Sequence, residues 1–285
     1  MAARPAQPRP AGDGKEDAVK GREAPGPAAL HDCRVVESRP VGAYRLISFV
    51  CREIAAAARP GQFVMVRESG PALDPLLPRP MGIHDIGSDL ISILIEPVGK
   101  GSGRLAASKV GDRLAVLGPL GRGFDLQKKG QAVIVGGGIG VSPLKLLARA
   151  LAERGRSMRL ILGFKSRDQA ASAGLFRDFD GEVFTEDGSV GSRGLVSEPL
   201  PGCLLPPPEG EPAPEVFACG PGPMLSAVAR ISSECGVPGV RTQVSVATHM
   251  ACGVGSCQGC VVAAAGGYVK ACTEGPVFDA EELKW

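Results

Sequence analysis

Four cysteines near one end of the chain constrain its fold more than any other feature. They lie in the segment MACGVGSCQGCVVAAAGGYVKACTEGP with four, two and eleven residues between them: Cys252, Cys257, Cys260 and Cys272. This is the spacing of plant-type [2Fe–2S] sites, where each iron binds two thiolates and two bridging sulfides. The intervening glycines permit a tight loop whose N–H groups can point at the sulfurs. The spacing therefore predicts an iron–sulfur module.

Zinc is the alternative metal for such a cysteine cluster. Structural zinc sites usually contain two Cys-x2-Cys pairs, or one pair with histidines, whereas this segment has one short pair and His249 lies outside its loop. The spacing favours iron. The other cysteines that stand alone in the sequence are interpreted as buried or incidental thiols: Cys33, Cys51, Cys203 and Cys235.

The remaining sequence shows two different patterns of apolar segments. Between residues 31 and 128, short apolar runs separated by turn residues predict an antiparallel β-barrel. Between residues 129 and 240, apolar strands alternate with helical segments and predict an α/β domain with a parallel sheet. Residues 241–285 are expected to form a separate cluster module, residues 1–30 a disordered tail, and the proline-rich segment 199–214 a surface loop.

Two glycine-containing turns predict a dinucleotide site in the α/β domain. The first, VIVGGGIGVSP, joins a strand to a helix and would let the backbone approach a pyrophosphate through Gly136, Gly137, Gly138 and Gly140. The second, FACGPGPM, brings three residues to the carboxyl edge of the same sheet, where ligands bind in open parallel sheets: Cys219, Gly220 and Pro221. Simple packing is the alternative for either turn, and an ordinary buried thiol is the alternative for Cys219.

A flavin is implied by the two predicted endpoints. A nicotinamide transfers two electrons as hydride and a [2Fe–2S] cluster accepts one, and a flavin can exchange electrons in both ways. In the barrel, Arg79 could hold a flavin phosphate in bidentate fashion, followed on an extended strand by Pro80, Met81 and Gly82. Gly101 and Ser102 could bind a pyrophosphate. A solvated surface position is the alternative for Arg79.

Seven motifs in one order carry a family resemblance that runs from about Asp32 to Trp285: RPMG, GKGSGRL, LGPLGRGF, VGGGIGVSPL, ACGPGPML, MACGVGSCQGC and ACTEGPVFDAEEL. They resemble the ferredoxin reductase superfamily and, within it, the electron-transfer subunits of dihydroorotate dehydrogenase B. The resemblance implies an FAD-binding barrel, an NAD(H)-binding domain and a C-terminal [2Fe–2S] module. By position it adds Leu94, Ile95 and Glu96 to the expected FAD site.

The resemblance also implies a partner and a pathway. Subunits of this kind pair with an FMN-containing catalytic subunit, as a heterotetramer, that oxidises dihydroorotate to orotate in pyrimidine biosynthesis. Electrons then pass through the cluster and FAD to NAD+. Two positions depart from the family pattern, because a hydroxyl residue often stands in place of Gly82 and threonine in place of Ser102. The first departure bears on the flavin potential more than on flavin binding.

Two other functions fit parts of the sequence. A subunit of a flavin-based NAD(P) transhydrogenase or sulfide dehydrogenase resembles the same three modules, although Lys165, Ser166 and Arg167 do not by themselves indicate NADP. A non-enzymatic zinc or iron–sulfur module would leave the barrel motifs and both glycine turns unexplained.

Charge and hydropathy favour a cytoplasmic protein without nucleic-acid or membrane partners. The net charge is +2, and the sequence contains no apolar run long enough for a signal peptide or a membrane span. No nucleophile–base set or pair of acid–base carboxylates can be identified, so we expect no catalytic residues and no organic substrate for this chain alone.

Overall fold

A closed antiparallel barrel forms the first part of the molecule. The computed structural model describes residues 28–70 and 74–285, so most of the expected tail lies outside the described residues. The barrel elements, in chain order, are β1 (Ala29–Val41), β2 (Tyr44–Val50), α1 (Arg52–Ala57), β3 (Phe63–Glu68), β4 (Arg79–Ile86), β5 (Leu90–Ile95), α2 (Lys100–Ala106) and β6 (Arg113–Leu120). The six strands close in the order β1-β2-β5-β4-β3-β6, which confirms the predicted barrel.

Alternation along β5 shows why this segment forms a barrel strand. Side chains two residues apart point to the same face of a strand. Ile91, Ile93 and Ile95 are fully buried in the barrel core, whereas Leu94 packs in a separate cluster on the opposite face. The two faces of β5 therefore serve the barrel core and the surface that meets the next domain.

A seven-stranded sheet forms the second part. Its elements are β7 (Ala132–Gly137), α3 (Leu144–Glu153), β8 (Met158–Phe164), α4 (Arg167–Ala170), β9 (Gly181–Thr185), β10 (Ser192–Arg193), β11 (Glu215–Cys219), α5 (Gly222–Glu234), β12 (Arg241–Ser245) and, after the hairpin β13 (Val261–Ala264) and β14 (Gly267–Lys270), β15 (Val277–Asp279). The order is β10-β9-β8-β7-β11-β12-β15, and only β15 is antiparallel to its neighbour. The predicted parallel-sheet domain is confirmed.

The sheet extends across the domain boundary expected at residue 240. Both β12 and β15 lie beyond that residue and pair within the sheet, with Val244 opposite Phe278. The two side chains are buried in the same core cluster as the inner sheet strands. The segment 241–285 thus contributes two strands to the α/β sheet in addition to the cysteine loop. A short apolar run predicts a strand but carries no information about which sheet it joins.

The proline-rich segment is only partly a surface loop. Residues Leu200–Cys203 form a 3-10 helix, and Leu200 and Leu204 are buried in the core against the α/β sheet. Residues 205–212 are mostly exposed, as expected. Three buried side chains, Leu200, Cys203 and Leu204, pack this turn, and Pro201 fits it because proline is compatible with the first residues of a helix.

Polar contacts hold the barrel against the sheet domain. The His84 Nδ1 of β4 lies 2.8 Å from the Ser142 carbonyl oxygen, which follows the glycine turn. From α3, Arg149 donates to the Ile86 carbonyl oxygen at 2.8 Å and pairs with Asp85 at 2.5 Å. These contacts set the position of β4 relative to the glycine turn. Among the helices that the structure describes, none is long and apolar enough to cross a bilayer.

Candidate functional site

A cleft of about 670 Å³ lies between the barrel and the carboxyl ends of the parallel strands. Its size is within the range of sites for small molecules and cofactors. Eleven of the residues predicted from the sequence line it: Pro80, Met81, Gly82, Leu94, Glu96, Gly137, Gly138, Gly140, Cys219, Gly220 and Pro221. The fold thus brings the predicted flavin strands and both predicted nucleotide turns together.

The glycine turn after β7 approaches the end of β11 closely. A Cβ at Gly140 would lie 2.6 Å from the Cys219 carbonyl oxygen and from the Gly220 backbone, a separation that real Cβ atoms essentially never show. Gly138 has φ +55°, in the left-handed region that favours glycine. The turn after β7 can therefore approach the end of β11 only because Gly140 has no side chain.

Five predicted residues do not line the cleft, and two of them are buried in the packing of the domains. Gly136 is buried under α3, and a Cβ there would meet the side chains of Leu144 and Val141. Ile95 points into the barrel core, between two cleft residues of the opposite face. Gly136 is placed by the packing of the helix on the sheet, and Ile95 by the alternation of side chains along β5. A motif match cannot distinguish residues required for such packing from residues that contact a ligand.

Arg79, Gly101 and Ser102 lie together beside a smaller hollow at the edge of the barrel. The Arg79 guanidinium packs on Gly101 so closely that a Cβ there would overlap it, and it donates to the Leu77 carbonyl oxygen at 2.6 Å. The Ser102 hydroxyl accepts a hydrogen bond from the Gly99 N–H at 3.1 Å and so caps α2. A half-buried arginine that donates to the Leu77 and Pro78 carbonyl oxygens is thus held next to the turn that starts α2.

Sequence reasoning left several cleft residues out of the predicted site, including Lys165, which it considered only as an indicator of NADP. Lys165 and Glu186 follow β8 and β9 and line the cleft from the carboxyl edge of the sheet. Their position at strand ends was a usable signal, because ligands bind at that edge in open parallel sheets. Ser142 also lines the cleft, and its buried hydroxyl has no hydrogen-bond partner among the described residues. No sequence signal could have revealed that last feature.

The four C-terminal thiols meet in two pairs. Cys252 interacts with Cys257, and Cys260 with Cys272, while Cys252 and Cys272 are close enough to affect each other's charge. Cys260 and Cys272 are buried, whereas Cys257 is exposed. Two pairs of thiols are what a two-iron cluster requires, since each iron takes two thiolates.

Backbone N–H groups point at the sulfurs of the more exposed pair, Cys252 and Cys257. The N–H groups of Val254 and Cys257 donate to the Cys252 Sγ at 3.4 and 3.5 Å, and that of Gly259 donates to the Cys257 Sγ at 3.5 Å. Burial alone would raise the pKa of Cys252, but hydrogen bonds from the backbone N–H groups of Val254, Cys257 and Ser256 and from the Cys257 thiol outweigh it and lower the pKa to about 6. The loop thus favours the thiolate that binds metal.

In the buried pair, Cys260 and Cys272, the surroundings disfavour the thiolate. Burial, together with the hydrogen bond and charge of Cys260, raises the pKa of Cys272 to about 11. A pair of adjacent buried thiols cannot both ionise without a cation, because like charges in a poorly hydrated site repel each other. The donor set therefore fits a cationic metal centre. The Thr273 hydroxyl, buried beside the loop without a hydrogen-bond partner among the described residues, is a further donor for it.

The cysteine loop is next to the cleft. Met250 lines the cleft and stands two residues before Cys252, so their α-carbons are at most about 7.6 Å apart. A Cβ at Gly253 would collide with the Met65 side chain of β3, the strand whose Phe63 also lines the cleft. The loop therefore packs against the barrel at one wall of the cleft.

Comparison with known proteins identifies the family. Residues 247–284 match the sequence model of the iron-sulfur cluster binding domain of dihydroorotate dehydrogenase B. The dihydroorotate dehydrogenase B (NAD(+)) electron transfer subunit of Desulforamulus reducens is 37% identical over 248 residues, 84% of this chain and 92% of that one. The subunit of the same name from Fusobacterium nucleatum is 38% identical over 234 residues, 79% and 86% of the two chains.

The chain belongs to the dihydroorotate dehydrogenase B electron-transfer subunit family. This confirms the family predicted from the motifs and their order. It also argues against a non-enzymatic metal module, because the relatives are subunits of an NAD(+)-linked dehydrogenase.

Solved structures place this electron-transfer subunit among flavin-dependent reductases by fold. The NADH-dependent reduced ferredoxin-NADP oxidoreductase has a TM-score of 0.76 and 27% identity, covering 89% of this chain and 90% of that one. Phthalate dioxygenase reductase has a TM-score of 0.59 at 16% identity, covers 78% and 70% of the two chains, and supports the fold alone. The order of barrel, parallel sheet and cysteine loop thus has counterparts in solved structures.

Proposed function

We propose that this chain carries electrons between a [2Fe–2S] cluster at its four C-terminal thiols and NAD(H), through FAD bound in the cleft. One observation carries the proposal: a single cleft contains the barrel strand, both nucleotide turns and the segment that leads into the cysteine loop. When bound, the flavin supplies the exchange between paired and single electrons. The family to which the chain belongs transfers electrons to or from NAD(+), in agreement with this role.

We assign the cofactor contacts by position in the cleft. The flavin ring would lie along β4 and β5, against Pro80, Met81, Gly82 and the cleft-facing side chains Leu94 and Glu96. Arg79 and the turn at Gly101 and Ser102 would hold its phosphates. The nicotinamide dinucleotide would lie over Gly137, Gly138 and Gly140, with its reactive end at Gly220 and Pro221. The cluster would bind Cys252 and Cys257 on one iron and Cys260 and Cys272 on the other.

Chain residues shape this site without donating or accepting a proton in our proposal. Cys219 is 6% exposed at the base of the cleft, and burial raises the pKa of its thiol to about 12. It therefore stays neutral and offers an apolar contact for a flat ring. A Cβ at position 220 would meet the flexible end of the Met224 side chain, which would have to move away. Met224 and Gly220 thus set how deeply a ring can enter.

The partner in our proposal is an FMN-containing catalytic subunit that oxidises dihydroorotate to orotate, assembled with this chain as a heterotetramer. The names of the relatives support a partner, since an electron transfer subunit requires another subunit to transfer electrons with. Expression with the partner encoded by the same organism tests it. A complex of two copies of each chain that reduces NAD+ with dihydroorotate is expected. Activity of this chain alone on dihydroorotate would contradict the proposal.

The electron path can be tested in the anaerobically purified chain. NADH should produce the electron paramagnetic resonance signal of a reduced [2Fe–2S] cluster, and dithionite should produce the same signal. In Gly140→Ala, whose added methyl group collides with the backbone of Cys219, half-reduction should require at least about tenfold more NADH, while dithionite reduction is unchanged. Cys257→Ser should lose the native signal with both reductants, because an exposed ligand is removed.

Cys235→Ser is the matched control for the ligand substitution. Cys235 is half-buried directly after the last residue of α5 and donates to the Ser232 carbonyl oxygen, a bond that a serine hydroxyl can also make. This variant should behave as the unsubstituted chain with both reductants. A cluster that dithionite reduces but NADH does not, in protein with a full complement of flavin, would overturn the proposed path.

A second candidate function is supported by one comparison. The chain resembles the NADH-dependent reduced ferredoxin-NADP oxidoreductase over 89% of its length. A subunit of such a transhydrogenase would couple to NADP(H) and ferredoxin through a different partner. Isolation of the native complex distinguishes the two candidates, since dihydroorotate-dependent NAD+ reduction supports the first and NADPH formation from NADH and reduced ferredoxin supports the second.

A further inference from the structure

Three metal-ligating side chains meet on the barrel, among residues to which the proposed electron path assigns no role. His31 of β1, Cys51 at the end of β2 and Glu53 of α1 place one ligand atom each within 4.8 Å of the other two. The His31 Nδ1 and the Glu53 Oε2 are 3.9 Å apart, and the Cys51 Sγ and the same Oε2 are 3.8 Å apart. Sequence reasoning treated Cys51 as an incidental thiol because its neighbours come from separate elements.

The Cys51 thiol donates a long hydrogen bond to the Glu53 Oε2, whereas the separation between His31 and Glu53 fits a shared cation better than a direct hydrogen bond. An N–H···O hydrogen bond spans about 2.7–3.2 Å, so the histidine and the glutamate do not form one. Four ligands around tetrahedral zinc, at bonds of about 2.0–2.3 Å, lie about 3.3–3.8 Å from one another. The two distances to the Glu53 Oε2, 3.9 and 3.8 Å, are at most about 0.1 Å beyond this range, and all three ligand atoms lie within 4.8 Å of one another. Glu53, whose side chain is 72% exposed, can close that gap by rotation.

The strand geometry holds the soft ligand in place. Cys51 is 4% exposed, and Cys33 on the neighbouring strand is 2% exposed and hydrogen-bonds to it. Val35 of β1 pairs with Phe49 of β2, and Cys33 and Cys51 each lie two residues beyond that pair in the same direction along the sheet. A donor behind a metal-bound sulfur orients the ligand and stabilises its negative charge. Cys33 is therefore a positioning residue, and Cys51 presents its sulfur towards His31 and Glu53.

We propose that His31, Cys51 and Glu53 bind one zinc ion, with the fourth position open to water. Imidazole nitrogen, thiolate and carboxylate together suit this borderline-soft ion, whereas magnesium and calcium prefer oxygen ligands alone. Binding replaces the Cys51 S–H bond with a sulfur–zinc bond and releases the proton to water. The ion links β1 to α1 and stabilises the folded barrel by mass action.

The proposal does not depend on the electron path, and its test separates the two. Anaerobically prepared chain is equilibrated with zinc buffered from nanomolar to micromolar concentrations, and zinc and iron are counted per chain by elemental mass spectrometry. Iron reports the C-terminal thiols, and zinc at constant iron reports the barrel site. One zinc per chain at constant iron is expected. Glu53→Gln, an exposed substitution that leaves the core intact, should weaken zinc binding by at least about tenfold.

Two further variants complete the design. Cys51→Ser should abolish zinc binding, and His31→Ala should weaken it by at least about tenfold. Glu234→Gln and Cys235→Ser are the matched controls, because these residues lie at the end of α5 and should leave zinc binding unchanged. If the unsubstituted chain takes up no more zinc than Cys51→Ser at equal iron content, the proposed site does not exist. Equal uptake by Glu53→Gln and the unsubstituted chain would remove Glu53 from the ligand set and overturn the site as proposed.

Discussion

At the scale of single residues, the cysteine loop depends on backbone conformations that few side chains permit. Gly253 and Gly255 have φ of +73° and +82°. Gln258, between two of the cysteines, has φ +60° although it carries a side chain. Such conformations cost about 1–3 kcal/mol for ordinary residues and persist where the surroundings require them. Here they turn successive N–H groups towards the thiols.

Gly253→Ala is predicted to impair cluster retention. The added methyl group requires an unfavourable φ and would lie 2.6 Å from the Met65 side chain of β3. The loop must then shift, and the Val254 N–H moves away from the Cys252 sulfur. We expect iron per chain to fall by at least half under conditions where the unsubstituted chain keeps its full complement of about two irons.

Gln258→Gly is the opposite change at a neighbouring position. The change relieves the strained φ and leaves the N–H donors in place, so we expect iron retention equal to or better than that of the unsubstituted chain. We also expect the free energy of unfolding to rise by up to about 1 kcal/mol. Loss of iron in both variants would show that side-chain contacts, and not backbone conformation, govern the loop.

At the scale of secondary-structure elements, Arg241 joins three segments that are far apart in sequence. From β12 it pairs with Asp279 of β15 at 2.7 Å and with Asp125 of the segment after the barrel at 2.6 Å. The fully buried Glu215 of β11 lies 3.7 Å away and also pairs with Arg156 at 2.8 Å. The arginine thus connects the segment that follows the barrel, the α/β sheet and β15, the strand that follows Cys272.

Arg241→Gln is predicted to destabilise the molecule strongly. The change leaves three carboxylates of the network with less positive charge, and removing one partner of a buried ion pair costs about 3–5 kcal/mol. Because the Arg241 side chain is 21% exposed, we expect a loss of about 2–4 kcal/mol in the free energy of unfolding, measured by chemical denaturation at pH 7.

The comparison for this substitution is Arg230→Gln. Arg230 also pairs with a glutamate, Glu234, at 3.4 Å, but on the exposed face of α5. Surface pairs of this kind contribute about 0.3–0.5 kcal/mol. An equal effect of the two substitutions would mean that the network around Arg241 adds no more than an ordinary surface charge pair.

At the scale of the whole molecule, His84 connects the two large domains and makes their association sensitive to acid. Its ring is 3% exposed, and because the Ser142 carbonyl oxygen can only accept, Nδ1 carries the proton of the neutral ring. Burial lowers the pKa of His84 to about 4, despite the opposing effect of the hydrogen bond to Ser142. In the unfolded chain the pKa is about 6.5.

Acidification is therefore predicted to weaken the fold through His84. Between pH 6.5 and pH 4 the unfolded chain binds a proton that the folded chain does not, so the free energy of unfolding falls as pH falls. The loss attributable to this residue is about 2–3 kcal/mol at pH 4.5 and is absent at pH 7.

His84→Asn isolates this contribution. An asparagine amide can replace the Nδ1 donor to Ser142 but does not titrate. The difference in unfolding free energy between the two proteins should shift by about 2–3 kcal/mol in favour of the asparagine variant between pH 7 and pH 4.5. A difference that stays constant with pH would contradict a neutral buried histidine at this junction.

The sequence by itself determined the features that depend on local spacing and local periodicity. Four cysteines at ferredoxin spacing predicted a metal loop, and the structure brings those thiols into two pairs. Short alternating runs predicted the barrel, and alternating strands and helices predicted the parallel sheet. The order of seven motifs was sufficient to recognise the family, because motifs in a fixed order are far more specific than any one of them.

Only the tertiary structure decided which distant residues meet. Local pattern could not show that β12 and β15 complete the α/β sheet, nor that the side chain of Ile95 and the backbone of Gly136 are buried away from the cleft. It could not bring His31, Cys51 and Glu53 together. The physical reason is the same in each case. Contacts between separate elements depend on which faces of those elements pack together in the folded chain, and the neighbouring residues in sequence do not determine which faces these are.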